Sequence, residues 1–380
     1  MSMAQLAADL QPGLPELGAV LARIAAGAGA RDGAGRPGAG EPGAGGLFPE
    51  SAIAALEEAG ALRWNATAGT NRPRAELELA LVRRVARADG SVGRIVDGHL
   101  NAVERLAVQA PRALRDRELG SVLAGQLRVG VWGGDPVPGE GPPGAVVCAD
   151  GREVLRGVKT FCSGAGGLHR ALVLARDQTA ADAARGPVSV WVDLTDPHRV
   201  EIDAGWYRSP GLVASVSHRV VFHDAPVLAR LGPNGAISQQ PWFGRDALRT
   251  AASWAGMADT AVDAATAALR RRPAYGDLEG LAVGRMLTAR RTIDVWLAAA
   301  ARAMDEAGPD LAAVALHGRA AIADACRSLL DEAARACGSR PFVTAGALDR
   351  SRRDLEVFLL QHRLDPLLAR AGSAVLEDDG

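Results

Sequence analysis

The chain has 380 residues, of which 48% are hydrophobic and 23% charged, a composition typical of a globular protein rather than a disordered or fibrous one. A chain of this length usually folds into two or three packed units, since one hydrophobic core seldom serves so many residues. Its 43 basic and 44 acidic residues leave a net charge of −1, so the balance indicates no nucleic-acid partner.

Neither membrane nor metal binding is predicted. No apolar run reaches the ~18 to 20 residues of a transmembrane helix, and Met1 to Leu10 lacks the blocks of a signal peptide. The four cysteines show no CxxC or Cys/His spacing. They indicate neither a metal site nor a disulfide scaffold, and they favour a reducing cytoplasm.

The amino-terminal part is predicted to be all helical. A short helix is expected over 14–26, and residues 27–46, with nine glycines, are expected to form a flexible loop. Glu50 to Gly60 is typical of a helix that ends at glycine. From Arg74 to Val108 apolar residues recur at spacings of three and four, with Ser91 as a candidate cap of a second helix.

The central part changes to short runs of β-branched and apolar residues separated by Gly, Pro and Asp. No helix of useful length lies between these runs, so they predict an antiparallel barrel or sandwich. The predicted strands are 126–132, 144–148, 154–161, 171–175, 188–192 and 213–222.

A helical period returns after Pro241, where residues from Met286 to Met304 form one apolar stripe at spacings of three and four. An antiparallel four-helix bundle follows from four long predicted helices joined by short connections. The helices are expected at about 245–270, 276–306, 310–336 and 349–370. The fold class is therefore α+β, with predicted domains at 1–120, 121–235 and 236–380.

Four short segments carry a family resemblance. They are Val131-Trp132-Gly133-Gly134-Asp135-Pro136, Leu155 to Ser163 with the chain's only lysine at 159, Arg272-Pro273-Ala274-Tyr275-Gly276, and Arg350-Ser351-Arg352-Arg353-Asp354-Leu355. In this order, within an α/β/α chain, they resemble the acyl-CoA dehydrogenase superfamily of flavoproteins over nearly the whole length.

The resemblance implies a noncovalent FAD between the β-domain and the bundle, in a homotetramer or homodimer. Glycines would let backbone N–H groups approach the flavin, an aromatic would lie against its ring, a hydroxyl would bond N5 or a phosphate, and an arginine would reach the pyrophosphate from a neighbouring subunit. The implied cofactor residues are Trp132, Gly133, Gly134, Phe161, Ser163, Arg272, Tyr275 and Gly338.

The sequence departs from the family at the catalytic base. Counting eight residues from Asp354 leads to His362, where dehydrogenases of the family have glutamate, and the stretch from Trp242 to Met257 of the first bundle helix offers only Asp246 as an acid. His362 admits three interpretations: a general base, a hydrogen-bond donor at the flavin N5/C4a edge as in the superfamily's monooxygenases, or a core residue. His99 and Arg249 are the candidate substrate contacts.

Three functions follow. The first is FAD-dependent two-electron oxidation of a Cα–Cβ bond of an acyl thioester or similar small molecule. The second is a flavin monooxygenase that takes reduced flavin and O2, with His362 at the flavin, FMN as the alternative cofactor, and a flavin reductase or electron-transfer partner. The third is a non-catalytic oligomeric relative.

Overall fold

The computed structural model describes residues 14–34, 47–67, 69, 71, 74–179, 186–361 and 364–377. Helices precede and follow a central β-domain, as the α+β prediction has it. The amino-terminal helices are α1 (Leu17–Ala34), α2 (Glu50–Glu58), α3 (Ala75–Ala88), α4 (Gly90–Gln109) and α5 (Arg112–Leu123).

Helix α1 corrects the prediction of a flexible loop, since residues 27–34 are helical; residues 35–46 of that prediction lie outside the described part. Composition alone misses the ion pairs that hold this end of α1. Arg31 pairs with Asp89 at 2.8 Å, and Asp32 pairs with Arg353 at 2.8 Å. These tertiary contacts offset the weak helix propensity of the glycines.

The structure shows how α2 ends and how α4 begins, two helix ends for which the sequence predicted the residue. Gly60 follows α2 with φ +81°, the left-handed conformation that glycine adopts without strain. The cap of α4, however, is Asp89 and not Ser91. The Asp89 carboxylate accepts hydrogen bonds from the backbone N–H groups of Ser91 and Val92, which are otherwise unpaired at a helix start.

The central strands close into a barrel, because β4 pairs with β2 and β5, and β3 and β7 complete the ring. One detail of the prediction is wrong: β1 and β2 both pair with β4 in parallel, so the sheet is mixed and not wholly antiparallel. The strands are β1 (Val129–Trp132), β2 (Ala145–Ala149), β3 (Arg152–Cys162), β4 (Arg170–Asp177), β5 (Val188–Asp193), β6 (Val200–Asp203) and β7 (His218–Arg230).

The carboxy-terminal helices are α6 (Trp242–Arg270), α7 (Asp277–Glu306), α8 (Leu311–Cys337), α9 (Arg340–Val343), α10 (Ala347–Phe358) and α11 (Asp365–Glu377). The three long helices match the prediction. The fourth is interrupted, because α10 ends at Phe358 and α11 begins at Asp365. Pro366 has no N–H and fits only the first turn of the new helix.

One hydrophobic cluster runs from the amino-terminal helices through the barrel into the bundle, and includes Leu81, Val173, Trp254 and Ile293. Helix α6 is its central element, since it packs against α3, α8 and α10. Among the described residues, no helix is long and apolar enough to span a membrane.

Candidate functional site

A cavity of about 770 Å³ lies between the barrel and the helical bundle. This size falls within the ~300–1,000 Å³ that small-molecule sites occupy. Its wall combines barrel residues with residues of α4, α6, α8 and α10. The residues of that wall include Arg94, Asn101, Gly133, Gly134, Phe161, Ser163, Asp246, Thr250, Arg319, Phe358 and Gln361.

Phe161 reaches the cavity because β3 contains a bulge. Lys159 pairs with Val220 and Cys162 with His218, so β3 carries one residue more than β7 across this interval. Phe161 lies in the bulge with φ +54° and a side chain that is 58% exposed. A bulky residue in this conformation is strained, and such strain concentrates at functional sites. Its ring is therefore a candidate platform for a planar ligand.

Lys159 holds the turn that forms the neighbouring wall. Its buried Nζ donates to the carbonyl of Gly133 at 3.0 Å and to the carboxylate of Asp135 at 2.7 Å. A Cβ on Gly134 would lie 2.5 Å from the Thr160 carbonyl oxygen. The glycine is thus required by the approach of the turn to β3, which fixes this backbone at the edge of the cavity.

A row of hydroxyl groups continues the barrel side of the site. Ser163 Oγ lies 2.8 Å from Ser217 Oγ, which lies 2.8 Å from Ser215 Oγ. Trp132 lies behind this row in the core, where its indole N–H donates to the Ser163 carbonyl at 3.0 Å. The structure brings Gly133, Gly134 and Ser163 to the cavity, while Trp132 supports them from behind.

On the helical side, polar groups of α4 and α6 are joined to one another. Asp97 accepts hydrogen bonds from Arg94, Asn101 and Thr250 at 3.1–3.2 Å. Burial raises the pKa of Asp97, against the opposing influence of Arg94. Arg94, Asn101 and Thr250 line the cavity and are thereby fixed in place.

Asp246 is the carboxylate of the described cavity wall. One oxygen accepts from Arg105 at 2.6 Å and the other from Arg249 at 3.1 Å. Burial raises the pKa of Asp246 to about 6, and the two arginines oppose that rise. Both oxygens are therefore engaged with guanidinium groups.

Arg249, predicted to contact substrate, lies inside the protein in an ion network behind this wall. Arg245 and Arg249 of α6 both pair with Glu78 of α3 and Glu104 of α4, and all four side chains are fully buried. Arg249 also donates to Asn101 at 2.9 Å. The network connects three helices and supports Asn101, which does line the cavity.

His99, the other predicted substrate contact, is also buried away from the cavity wall. Its Nδ1 accepts the backbone N–H of Val129 at 3.1 Å, so Nε2 carries the proton and donates to the Leu62 carbonyl at 2.8 Å. Burial lowers the pKa of His99 to about 4. A neutral ring with both nitrogens engaged links α4 to β1 and to the turn after α2.

Three predicted cofactor residues lie at one end of the bundle, away from the cavity. Arg272 donates to the Cys337 carbonyl at 3.0 Å and pairs with Glu279 at 3.3 Å. Gly338 ends α8 with φ +70°, and Tyr275 is exposed. The structure brings Arg272 and Gly338 close together, but it does not bring them to Phe161. His362 lies outside the described residues, two positions after Leu360 and next to Gln361, both of which line the cavity.

Sequence reasoning missed Arg94, Asn101, Thr250 and Arg319. A signal existed for Thr250, which follows Asp246 by four residues and so shares its helix face. Nothing distinguished Arg319, because every basic residue of the chain except Lys159 is arginine.

No protein-family model and no curated protein matches the chain. Solved structures do match over nearly the full length, and they establish that the chain has the acyl-CoA dehydrogenase fold. The predicted fold is thereby confirmed.

Three of these structures are each similar to this chain over more than nine-tenths of their length. KijD3, in complex with FMN and dTDP-3-amino-2,3,6-trideoxy-4-keto-3-methyl-D-glucose, is 22% identical and superposes with a TM-score of 0.78 over 97% of this chain and 94% of its own. The dibenzothiophene monooxygenase TdsC from Paenibacillus sp. A11-2 is 17% identical, with a TM-score of 0.76 over 94% and 95%. A nitrososynthase from Micromonospora carbonacea var. africana is 20% identical, with a TM-score of 0.78 over 95% of each chain.

Proposed function

We propose that this protein is a flavin-dependent monooxygenase that uses reduced FMN and O2. One observation carries the proposal: the cavity offers an exposed aromatic platform, Phe161, but the described part of its wall has no carboxylate free to act as a base, since Asp246 is held by two arginines. A dehydrogenase of this fold needs such a base, whereas an oxygenase does not.

The described residues fit a flavin. The strained Phe161 presents its ring to the cavity, edge-on to Trp206 with 5.0 Å between ring centroids. Aromatic rings stack on planar ligands of this kind. The Ser163 hydroxyl and the fixed backbone at Gly133 and Gly134 supply polar contacts at the same wall. KijD3 and TdsC have been crystallised with FMN, which supports FMN over the FAD of the first hypothesis.

Reduced flavin, when bound, would supply two electrons that together with two protons reduce O2, so that one oxygen atom enters the substrate and the other leaves as water. The residues of the cavity wall supply the surroundings that this reaction needs. The apolar side chains of Val131, Leu174, Phe243 and Phe358 line the cavity and would displace water from beside a bound flavin. The fixed Arg94, Asn101 and Thr250 orient a polar substrate against the ring position that Phe161 defines.

His362 belongs to this proposal as the residue that controls a proton at the site. It follows Gln361 of the cavity wall, and an unperturbed imidazole exchanges its proton near pH 6.5. Replacing His362 by Ala is expected to abolish turnover and to leave FMN affinity within about twofold of wild type. Turnover is measured as product formation, and FMN affinity is measured by titration. Undiminished turnover in the variant would show that His362 has no role in the reaction.

Two redox experiments separate the candidate reactions. In the first, the FMN-loaded protein is mixed without O2 with butyryl-CoA and octanoyl-CoA, and the flavin is expected to remain oxidised. In the second, NADH and a separate flavin reductase supply reduced FMN under ¹⁸O2 with indole, the molecule bound in one TdsC structure, and in parallel with phenylacetate. We expect ¹⁸O in a product. Bleaching of the flavin by an acyl-CoA in the first experiment would favour dehydrogenation. The absence of an ¹⁸O-labelled product in the second would contradict the monooxygenase proposal.

We also propose that the chain forms a homo-oligomer and receives its reduced flavin from a separate reductase. Helix α7 supports the first part, because it exposes the large apolar side chains of Leu278, Leu281, Leu287 and Val295. Monomeric proteins seldom leave so much apolar surface on one element uncovered.

A further inference from the structure

In the part of the cavity wall that the structure describes, Arg319 of α8 is the charged residue without an ion-pair partner. The other charged wall residues have partners, since Arg94 pairs with Asp97 and Asp246 pairs with Arg105. Arg319 is only 4% exposed, and its Nε and Nη2 atoms are buried without a hydrogen-bond partner. Burying a guanidinium without hydrogen-bond partners costs free energy of folding, so its presence in the wall calls for an explanation.

The surroundings hold the guanidinium in position without neutralising it. Its Cζ lies 5.4 Å from the centroid of the Trp254 ring, a cation–π contact that leaves the hydrogen-bonding edges open. Trp254 is fixed in turn by Phe358, whose ring stands at 90° to it with 6.1 Å between centroids. Burial lowers the pKa of Arg319 to about 10, with Asp97 opposing that shift, and the group therefore stays charged at neutral pH.

The two unpaired atoms, Nε and Nη2, form one edge of the guanidinium fork, and this edge matches the two oxygens of a carboxylate. The same chain uses that edge elsewhere. Arg83 donates from Nε and Nη2 to the two oxygens of Asp259 at 2.7 and 2.9 Å. Arg156 does the same with Asp224 at 2.7 and 2.9 Å. At Arg319 the corresponding carboxylate is missing among the described residues.

We infer that the substrate supplies it: the cavity binds an organic carboxylate whose apolar body lies against the ring position that Phe161 defines and whose carboxylate pairs with Arg319. The inference names the substrate class of the proposed site and rests on the proposed function. The balance of charge in and behind the wall supports the inference. Four arginines pair with four carboxylates, and Arg319 adds a fifth positive charge that no carboxylate of the described residues balances. The paired arginines are Arg94, Arg105, Arg245 and Arg249, and the carboxylates are Asp97, Asp246, Glu78 and Glu104. Arg319 already lines the cavity in which this ligand would bind.

The test compares acids with their neutral amides. Benzoate and benzamide, and phenylacetate and phenylacetamide, are titrated calorimetrically into the FMN-loaded protein at pH 7.5. We expect wild type to bind each acid about tenfold or more tightly than its amide, and Arg319→Met to lose this preference. Arg319→Lys keeps the charge without the fork and is expected to retain part of it. Arg327→Met, at an exposed position on the same helix, is the control and should behave as wild type.

Three results would overturn the inference: no acid preference in wild type, an unchanged preference in Arg319→Met, or a loss of FMN affinity in that variant with the preference intact. Thermal unfolding excludes a folding defect, since removing an unpaired buried charge should not lower the melting temperature. The titrations are repeated without FMN. An acid preference that depends on Arg319 in a protein that binds no flavin would refute the proposed function and leave this inference standing.

Discussion

At the scale of single residues, the site depends on a conformation that the residue itself disfavours. Phe161 has φ +54°, where a bulky L-residue is strained by ~1–2 kcal/mol. The bulge in β3 and the ring contact with Trp206 hold it there. Backbone strain of this kind is expected at a residue whose side chain contacts a ligand and contributes little to the stability of the fold.

Phe161→Gly tests this interpretation through stability. Glycine removes the backbone strain, and the substitution also removes the Trp206 contact, worth ~0.5–1.5 kcal/mol. The free energy of unfolding in urea should therefore change by less than about 1 kcal/mol. A loss of about 3 kcal/mol or more would show that Phe161 is a core residue.

Residue-level prediction from the sequence led to the cavity where a motif fixed both the residue type and the local geometry, while the cofactor roles of these residues stay predictions. Gly133, Gly134, Phe161 and Ser163 all reach the cavity wall. It could not find Arg319, because the importance of that side chain comes from what is absent around it. An unpaired charge is a property of the packed structure and leaves no local pattern in the sequence.

At the scale of elements, α6 is joined to α3 and α4 by buried charges. Arg249→Met would leave Glu78 and Glu104 short of a partner in an interior that solvates them poorly. We expect a loss of about 3–5 kcal/mol in the free energy of unfolding, with FMN still bound by the folded fraction. Arg270→Met, at the exposed end of the same helix, should cost less than about 0.5 kcal/mol. Equal effects in the two variants would contradict the network's role.

Helix α10 is attached to the barrel side through a carboxyl group, which makes its anchoring sensitive to pH. Asp354 accepts the backbone N–H of Leu212 at 2.6 Å, and burial raises its pKa to about 7. The native state therefore holds this proton more tightly than the unfolded state, whose aspartate titrates near ~3.9. The stabilisation is fully present below about pH 4 and is lost as the pH rises through 7.

Asp354→Asn removes this titration and keeps an oxygen for Leu212. The free energy of unfolding of the variant, relative to wild type, should increase by on the order of 2–4 kcal/mol from pH 4 to pH 8. Urea unfolding at both pH values measures this difference. The exposed Asp324→Asn is the matched control and should show no such trend. A constant difference between Asp354→Asn and wild type across this range would contradict the account.

The sequence predicted most elements because apolar spacing reports the buried face of a helix or strand directly. The long helices α6 to α8 follow from that spacing alone. Two features escaped it for physical reasons. The glycine-rich end of α1 is stabilised by ion pairs with distant residues, and the parallel pairing of β1 and β2 with β4 depends on chain topology.

At the scale of the whole molecule, the apolar face of α7 predicts self-association. Light scattering at about 10 μM should give a mass that is two or four times 39.3 kDa. The double variant Leu281→Glu and Leu287→Glu places charges on the exposed face and should shift the mass toward the monomer. A monomeric wild type at this concentration would show that the face has another role.

The proposed function requires FMN to occupy the cavity between the barrel and the bundle. Titrating FMN against the purified protein and following the quenching of flavin fluorescence tests this most directly. We predict saturable binding to wild type, about tenfold weaker binding to Phe161→Ala, and no change in Phe342→Ala, whose ring lies outside the cavity wall. No binding by wild type, or equal affinity in the two phenylalanine variants, would contradict the account.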